Sequence, residues 1–181
     1  MRIITGKARG RRLVTPDGQH TRPTGEKVKE AIFNIVQFDI EGRRALDLFC
    51  GGGQLGLEAV SRGAESCVFV DNDRAAQQAA ERNIRTCGFE KQCRLVRGDV
   101  AAFLKRQKSA SFGLIFLDPP YGGEILKNAL NDIFAFDILQ TGGIMVCESA
   151  VSDVLPPPGE GYALLREYRY GKTKLTTYAR E

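Results

Sequence analysis

The sequence predicts an α/β fold on a mostly parallel sheet, with an antiparallel hairpin near the carboxyl end and a small basic extension in front. Three observations carry that prediction. From Arg43 onward, short β-branched and aromatic runs alternate with segments of helical period, the pattern of right-handed β-α-β crossovers. Gly51, Gly53 and Gly56 follow one of those runs with G-x-G-x-x-G spacing, and Asp71 lies 20 positions after Gly51. The apolar run Leu114-Ile115-Phe116-Leu117 stops at Asp118-Pro119-Pro120-Tyr121, as a buried strand ending at a site would.

In chain order, Arg2 to Val14 holds two apolar stretches around Gly6-Lys7-Ala8-Arg9-Gly10-Arg11-Arg12, predicting a basic hairpin or extended arm with outward cations. Val28, Ala31, Ile32, Ile35 and Val36 then predict an amphipathic helix from Glu26 to Gln37, its other face displaying Lys27, Lys29 and Glu30. Arg22-Pro23-Thr24 sets a cation and a hydroxyl before that helix, a candidate substrate-facing edge. Residues 1–40 read as an extension and 41–181 as the main domain.

Within the main domain, Ala45 to Cys50 predicts a strand, and a helix begins at Leu55. Cys67 to Val70 is the second strand, ended by Asp71; a helix follows over about Arg74 to Thr86, its inner face using Ala76, Ala80, Ile84 and Cys87. Arg94 to Val96 is the third strand, ending at Gly98-Asp99, with a short helix over Val100 to Arg106. After the run 114–117 the next assigned strand is Gly143 to Glu148, with no element assigned between Tyr121 and Gly143. Pro156-Pro157-Pro158-Gly159 breaks the pattern. Ala163 to Tyr170 and Thr173 to Ala179 then form a hairpin turning at Gly171-Lys172, with Lys174 also near the tip.

Composition narrows the chemistry. Five cysteines, odd in number and without C-x-x-C spacing, sit in or beside apolar runs, which predicts buried free thiols and no metal. The single histidine, His20, lies in a polar stretch, so histidine-dependent nucleophilic triads have little support. No apolar run is long enough for a membrane span and the amino terminus has no signal-peptide core, so a cytoplasmic protein is expected. Residues 1–30 carry eight Lys or Arg against three Asp or Glu, a balance of +5 in a chain whose net charge is +4. A basic front on a nearly neutral body is the footprint of a phosphate-backbone partner.

Asp118, the Pro119 carbonyl and the Tyr121 ring form an acceptor-rich group suited to an amine on a flat ring: two acceptors for its N–H groups and an aromatic platform for stacking. The glycine turn and Asp71 alone fit either a nicotinamide or an S-adenosylmethionine enzyme. Asp47, four residues before the first glycine, suits a cationic amino-acid end better than a pyrophosphate, and Asp99 adds an acceptor at the third strand end. The residues alone leave adenine and guanine amines both open.

The chain resembles a known family. Its motifs are Asp118-Pro119-Pro120-Tyr121, Asp47-Leu48-Phe49-x-Gly51-x-Gly53-x-Leu55-Gly56, the opening Arg2-Ile3-Ile4-x-Gly6-Lys7-x-Arg9-Gly10-Arg11-Arg12-Leu13, Thr21-Arg22-Pro23-Thr24 and Tyr170-Gly171-x-Thr173. Together they resemble the RsmD-type 16S ribosomal RNA guanine-N2 methyltransferases over nearly the whole chain. The resemblance implies a Rossmann-like class I methyltransferase domain, S-adenosyl-L-methionine as cofactor and small-subunit rRNA as partner, taken free or in an assembling 30S particle by a monomer. It implies a catalytic set of Asp118, Pro119, Pro120 and Tyr121. The implied cofactor set is Asp47, Phe49, Gly51, Gly53, Leu55, Asp71, Asn72, Asp99 and Val100. The implied RNA set is Lys7, Arg9, Arg11, Arg12, Arg22, Thr24 and Lys172. Gly52, where relatives usually have serine, and Asp71, where glutamate is commoner, depart from the family pattern.

Overall fold

The computed structural model describes residues 1–16, 25–120 and 124–181. Its strands are β1 (Arg44–Leu48), β2 (Ser66–Asp71), β3 (Cys93–Arg97), β4 (Phe112–Leu117), β5 (Leu139–Ala150), β6 (Tyr162–Tyr170) and β7 (Thr173–Arg180). Its helices are α1 (Glu26–Ile35), α2 (Gln54–Ser61), α3 (Arg74–Cys87), α4 (Val100–Leu104) and α5 (Glu124–Ala135). The strands form one sheet in the order β3-β2-β1-β4-β5-β7-β6. β1 to β5 pair in parallel and the last two strands pair antiparallel, the expected architecture. Strand order reverses between β1 and β4, where Leu48 stands opposite Leu117. The chain segments leaving both strands therefore emerge side by side.

Local sequence chemistry sets the helix ends. Asp73 caps α3 by accepting from the Ala76 N–H at 2.7 Å. Gly88, at φ 74°, ends it: its N–H reaches the Arg85 carbonyl and the Phe89 N–H the Ile84 carbonyl, a Schellman closure. Gly56 in α2 faces Phe69 and Cys67 of β2 so closely that a Cβ there would overlap both side chains. The third glycine of the turn motif thus seats its helix on the sheet.

Two apolar layers sandwich the sheet. On one face, Phe33 of α1, Leu57 of α2 and Ala80 of α3 pack with Phe69, Phe116 and Val146, the Phe33 and Phe116 rings 5.6 Å apart. On the other, Leu104 of α4 and Leu130 and Ile133 of α5 cover Ile115, Met145 and Tyr178. The helix α5 was not expected from the sequence. Its Leu126, Ala129, Leu130 and Ile133 recur at helical spacing and are buried, so the signal was present; β5 correspondingly starts earlier than expected, at Leu139.

The front arm is a loop closed by one bridge, Arg2 to Arg12, rather than a regular hairpin. It is fastened to the body: Ile3, Ala8 and Leu13 are buried in the same apolar cluster as Leu57 and Val60. Gly6, at φ 86°, lies so near the Ser61 carbonyl that no side chain fits. Glu58 of α2, fully buried, accepts from the Ile4 and Thr5 N–H groups at 2.8 and 2.9 Å. It also pairs with Lys29 and Arg62, both at 2.9 Å.

This corrects the expectation that Lys29 lies on the exposed face of its helix. It is 1% exposed, and its ammonium also donates to the Arg2 carbonyl at 3.0 Å. A buried lysine is tolerated because a buried carboxylate and a carbonyl meet it. Lys174 is likewise buried, donating to the Asp153 carbonyl and paired with Glu167, whereas Lys172 is exposed at the hairpin turn. Among the cysteines, Cys50, Cys67 and Cys147 are buried and Cys87 and Cys93 partly so; all five are free thiols.

Burial alone would raise the Glu58 carboxyl, but the Lys29 charge and the N–H and guanidinium donors outweigh it and hold the group below its ordinary value. Burial lowers the Lys29 ammonium, against the opposing pull of Glu58. A depressed carboxyl contributes stability that is complete above its unfolded value, about 4.3, and is lost as pH falls through the lower folded value. Glu58→Gln is therefore expected to lose about 3 kcal/mol at pH 7, since it leaves a buried cation without its anion. Urea unfolding should show that gap closing below about pH 4.

Candidate active site

The switch between β1 and β4 brings together the two sequence features that most suggested chemistry. Ligands of open α/β sheets bind beyond the carboxyl ends of their strands at such a reversal. β1 leaves through Phe49, at φ 59°, then Gly51 at 53° and Gly53 at 76°, before α2 begins at Gln54. Left-handed backbone at Phe49 costs about 1–2 kcal/mol. The turn is closed by the Gly53 N–H on the Cys50 carbonyl at 2.7 Å.

Carboxylates from neighbouring strands hold this turn. Asp47 is 1% exposed and accepts the Gly56 N–H at 2.8 Å, satisfying a donor in the first turn of α2 from beneath. Asp71, at the end of β2, accepts from the Gly51 N–H with one oxygen and the Asp73 N–H with the other, both at 2.9 Å. A carboxylate has about four lone-pair sites, so Asp71 keeps capacity for hydroxyl donors. Asn72 beside it is exposed. Asp99, at the end of β3, is exposed and caps α4 by accepting from Ala102 at 2.8 Å, with Val100 buried beneath it. Leu55 lies in the apolar cluster under the turn, and Phe49 is half-buried against the opposite layer. Of the cofactor set, Phe49, Gly51, Asp71, Asn72 and Asp99 thus present exposed or half-buried surface, while Asp47, Gly53, Leu55 and Val100 are buried.

On the other side of the switch, Asp118 is half-buried, Pro119 buried and Pro120 exposed. Tyr121 lies outside the described residues, as do Arg22, Thr24 and His20. Burial pushes the Asp47 carboxyl well up, and the negative charges of Asp118 and Asp71 push it further. Burial likewise raises Asp71. Three acids therefore gather where the sheet reverses. Such a site favours a cation over a pyrophosphate, which fits a sulfonium cofactor with an ammonium end. Among the described residues, no cluster of three or more His, Cys, Asp or Glu side chains could hold a metal ion.

Asn83 was not singled out from the sequence. It is 1% exposed, and its amide nitrogen donates to the carbonyls of Gly52 and Val14 at 2.8 and 2.9 Å. Its oxygen accepts the Val14 N–H at 2.8 Å. One side chain thus joins the glycine turn to the arm. The signal available was a polar residue three positions after Ala80, beside the inner stripe of α3. The arm's Lys7, Arg9, Arg11 and Arg12 are exposed, as expected for groups that meet a polyanion. Lys172 sits at the same edge of the sheet as Asp118, because its neighbour Thr173 pairs with Ala150 at the end of β5.

Comparisons with known proteins agree with this geometry. The model of the family described as Conserved hypothetical protein 95 matches residues 1–179. The chain is 39% identical over 180 residues to "Putative rRNA methyltransferase YlbH" of Bacillus subtilis, covering 98% of each. It is 34% identical to "Ribosomal RNA small subunit methyltransferase D" of Escherichia coli K12, covering 100% of this chain and 90% of that protein. The solved structure of "Putative methyltransferase yhhF from Escherichia coli" superposes with a TM-score of 0.86 at 33% identity, covering 100% of this chain and 98% of that one. A full-length family match, a glycine turn under acid control and a shared mostly parallel sheet place the chain in the Conserved hypothetical protein 95 family, the RsmD-type methyltransferases.

Proposed function

We propose that this protein is an S-adenosyl-L-methionine-dependent methyltransferase that modifies the exocyclic N2 amine of a guanine in small-subunit ribosomal RNA. It works as a cytoplasmic monomer, with the rRNA of an assembling 30S particle as its substrate. The observation that carries the reading is the pairing of β1 with β4, which sets the acceptor-rich Asp118-Pro119 exit beside the acid-held glycine turn.

Gly51 and Gly53 allow close backbone approach, Asp71 accepts from ribose hydroxyls, and Asp99 and Val100 border the adenine side. Asp47 holds the turn from beneath through the Gly56 N–H. Bound there, the cofactor supplies a methyl group activated on a sulfonium. Asp118 and the Pro119 carbonyl grip the two N–H groups of the guanine amine, whose lone pair is otherwise delocalised into the ring. That grip favours a more tetrahedral nitrogen in line with the methyl carbon. Asp118 would take the proton that the amine nitrogen gives up on methylation. Tyr121 has the stacking role for a base drawn out of its helix. Exposed Lys7, Arg9, Arg11 and Arg12 meet phosphates, joined by Arg22, Thr24 and Lys172.

Incubation with methyl-labelled cofactor and small-subunit rRNA or particles, followed by digestion, should yield label in N2-methylguanosine; label in an adenosine, or none, would overturn the reading. Asp118→Ala should lower methyl transfer at least about 100-fold while leaving cofactor affinity within about twofold. Asp71→Ala should weaken cofactor binding roughly tenfold in a calorimetric titration, because it removes an acceptor and loosens the turn.

A further inference from the structure

An open groove of about 550 Å³ runs between α1 and β6, away from the switch between β1 and β4. It is lined by Lys27, Glu30 and Ala31 on the helix side and by Tyr168 and Tyr170 on the strand side. We propose that this groove binds an unpaired segment of the RNA substrate, stacking a base on Tyr170 while Lys27 and Lys172 meet its phosphates. The inference rests on the reading that RNA is the substrate and adds a second anchoring site for it.

Three features support this occupant. Tyr168 and Tyr170 are two apart on β6 and share a face: Tyr168 packs against the apolar cluster with Arg166 over its ring, and exposed Tyr170 offers a platform of the kind that takes stacked bases without sequence preference. Within the lining Lys27 balances Glu30, and the cations that suit a polyanion are at its margin. The Arg166 guanidinium lies 5.8 Å above the Tyr168 ring centre, and exposed Lys172 follows at the hairpin turn. Glu167 alternates to the other face of β6, where Lys174 neutralises it at 3.0 Å. Glu30 offers an acceptor to a base edge.

The position is also right. Tyr170 pairs with Thr173, which pairs with Ala150, so the tyrosine end of the groove lies at the carboxyl edge of the parallel strands, the edge that carries Asp118. At the start of α1, Arg2 of the arm lies 3.4 Å from Glu26, next to Lys27. A strand held by the arm can therefore continue across the first turn of α1 into the groove. Its size falls within the range of about 300–1,000 Å³ typical of ligand sites.

The test uses the full chain, a fluorescent small-subunit rRNA fragment and intact 30S particles, with anisotropy titrations across a salt series. Tyr170→Ala should weaken RNA binding roughly tenfold and Tyr170→Phe should restore it, since the ring is what stacks. Lys27→Ala should lower the salt slope by about one, and neither change should alter cofactor affinity or the transfer rate at saturating RNA. Ultraviolet cross-linking of the wild type should attach RNA at Tyr170. If Tyr170→Ala binds RNA as the wild type does while the wild type methylates normally, the groove proposal falls and the methyltransferase reading stands. If binding weakens only for particles and not for naked RNA, the occupant is a protein and the proposal falls. If the wild type methylates no RNA, both readings fall together.

Discussion

The reversal of strand order between β1 and β4 is the constraint on which the rest of the molecule depends. With Leu48 opposite Leu117, two chains must leave the sheet next to each other, and each leaves carrying a carboxylate. Burial, and then the nearby charges of Asp118 and Asp71, raise the cost of ionising Asp47. Only Asp47 is fully buried, and its position is secured by the Gly56 N–H. Clustered like charge at a strand edge is unfavourable until a cation arrives.

Binding one ligand at this edge need not be independent of binding the other. The arm that displays Lys7, Arg9, Arg11 and Arg12 is tied to the sheet by two buried polar side chains, Glu58 and Asn83. Glu58 fixes the beginning of the arm through Ile4 and Thr5 and gathers Lys29 and Arg62 around the same carboxylate. Asn83 fixes its far end at Val14 and holds the Gly52 carbonyl with the same amide. The basic arm and the glycine turn thus share one hydrogen-bonding side chain. A loosely hung arm could not transmit position in this way; one sealed over Ile3, Ala8 and Leu13 can.

Much of this was legible in the sequence because the relevant signals were local. The five parallel strands were short apolar runs bounded by Gly, Pro or Asp, and the terminal hairpin was marked by Gly171. The glycine turn and the Asp-Pro-Pro exit were readable as chemistry since each pairs a strand end with acceptors. What escaped depended on contacts distant in sequence. Lys29 looks like a surface cation until Glu58, 29 residues later, is placed beneath it. Asn83 looks like part of a polar helix flank until Val14 and Gly52 come within reach of its amide. The helix α5 was different: its apolar spacing at Leu126, Ala129, Leu130 and Ile133 is a local signal of the ordinary helical kind. Asp71 and Asp99 were expected to face a ligand; what the structure shows is that both serve the backbone, Asp71 at the turn and Asp99 at a helix start.

The central claim is that the exits of β1 and β4 form one site. Hydrogen exchange read by mass spectrometry, with and without S-adenosyl-L-methionine, tests it most directly. The account predicts that the cofactor slows exchange together in the segment from Phe49 to Leu55 and in the segment following Asp118, with β6 unaffected. Slowing confined to one of those segments, or found only elsewhere in the chain, would contradict it.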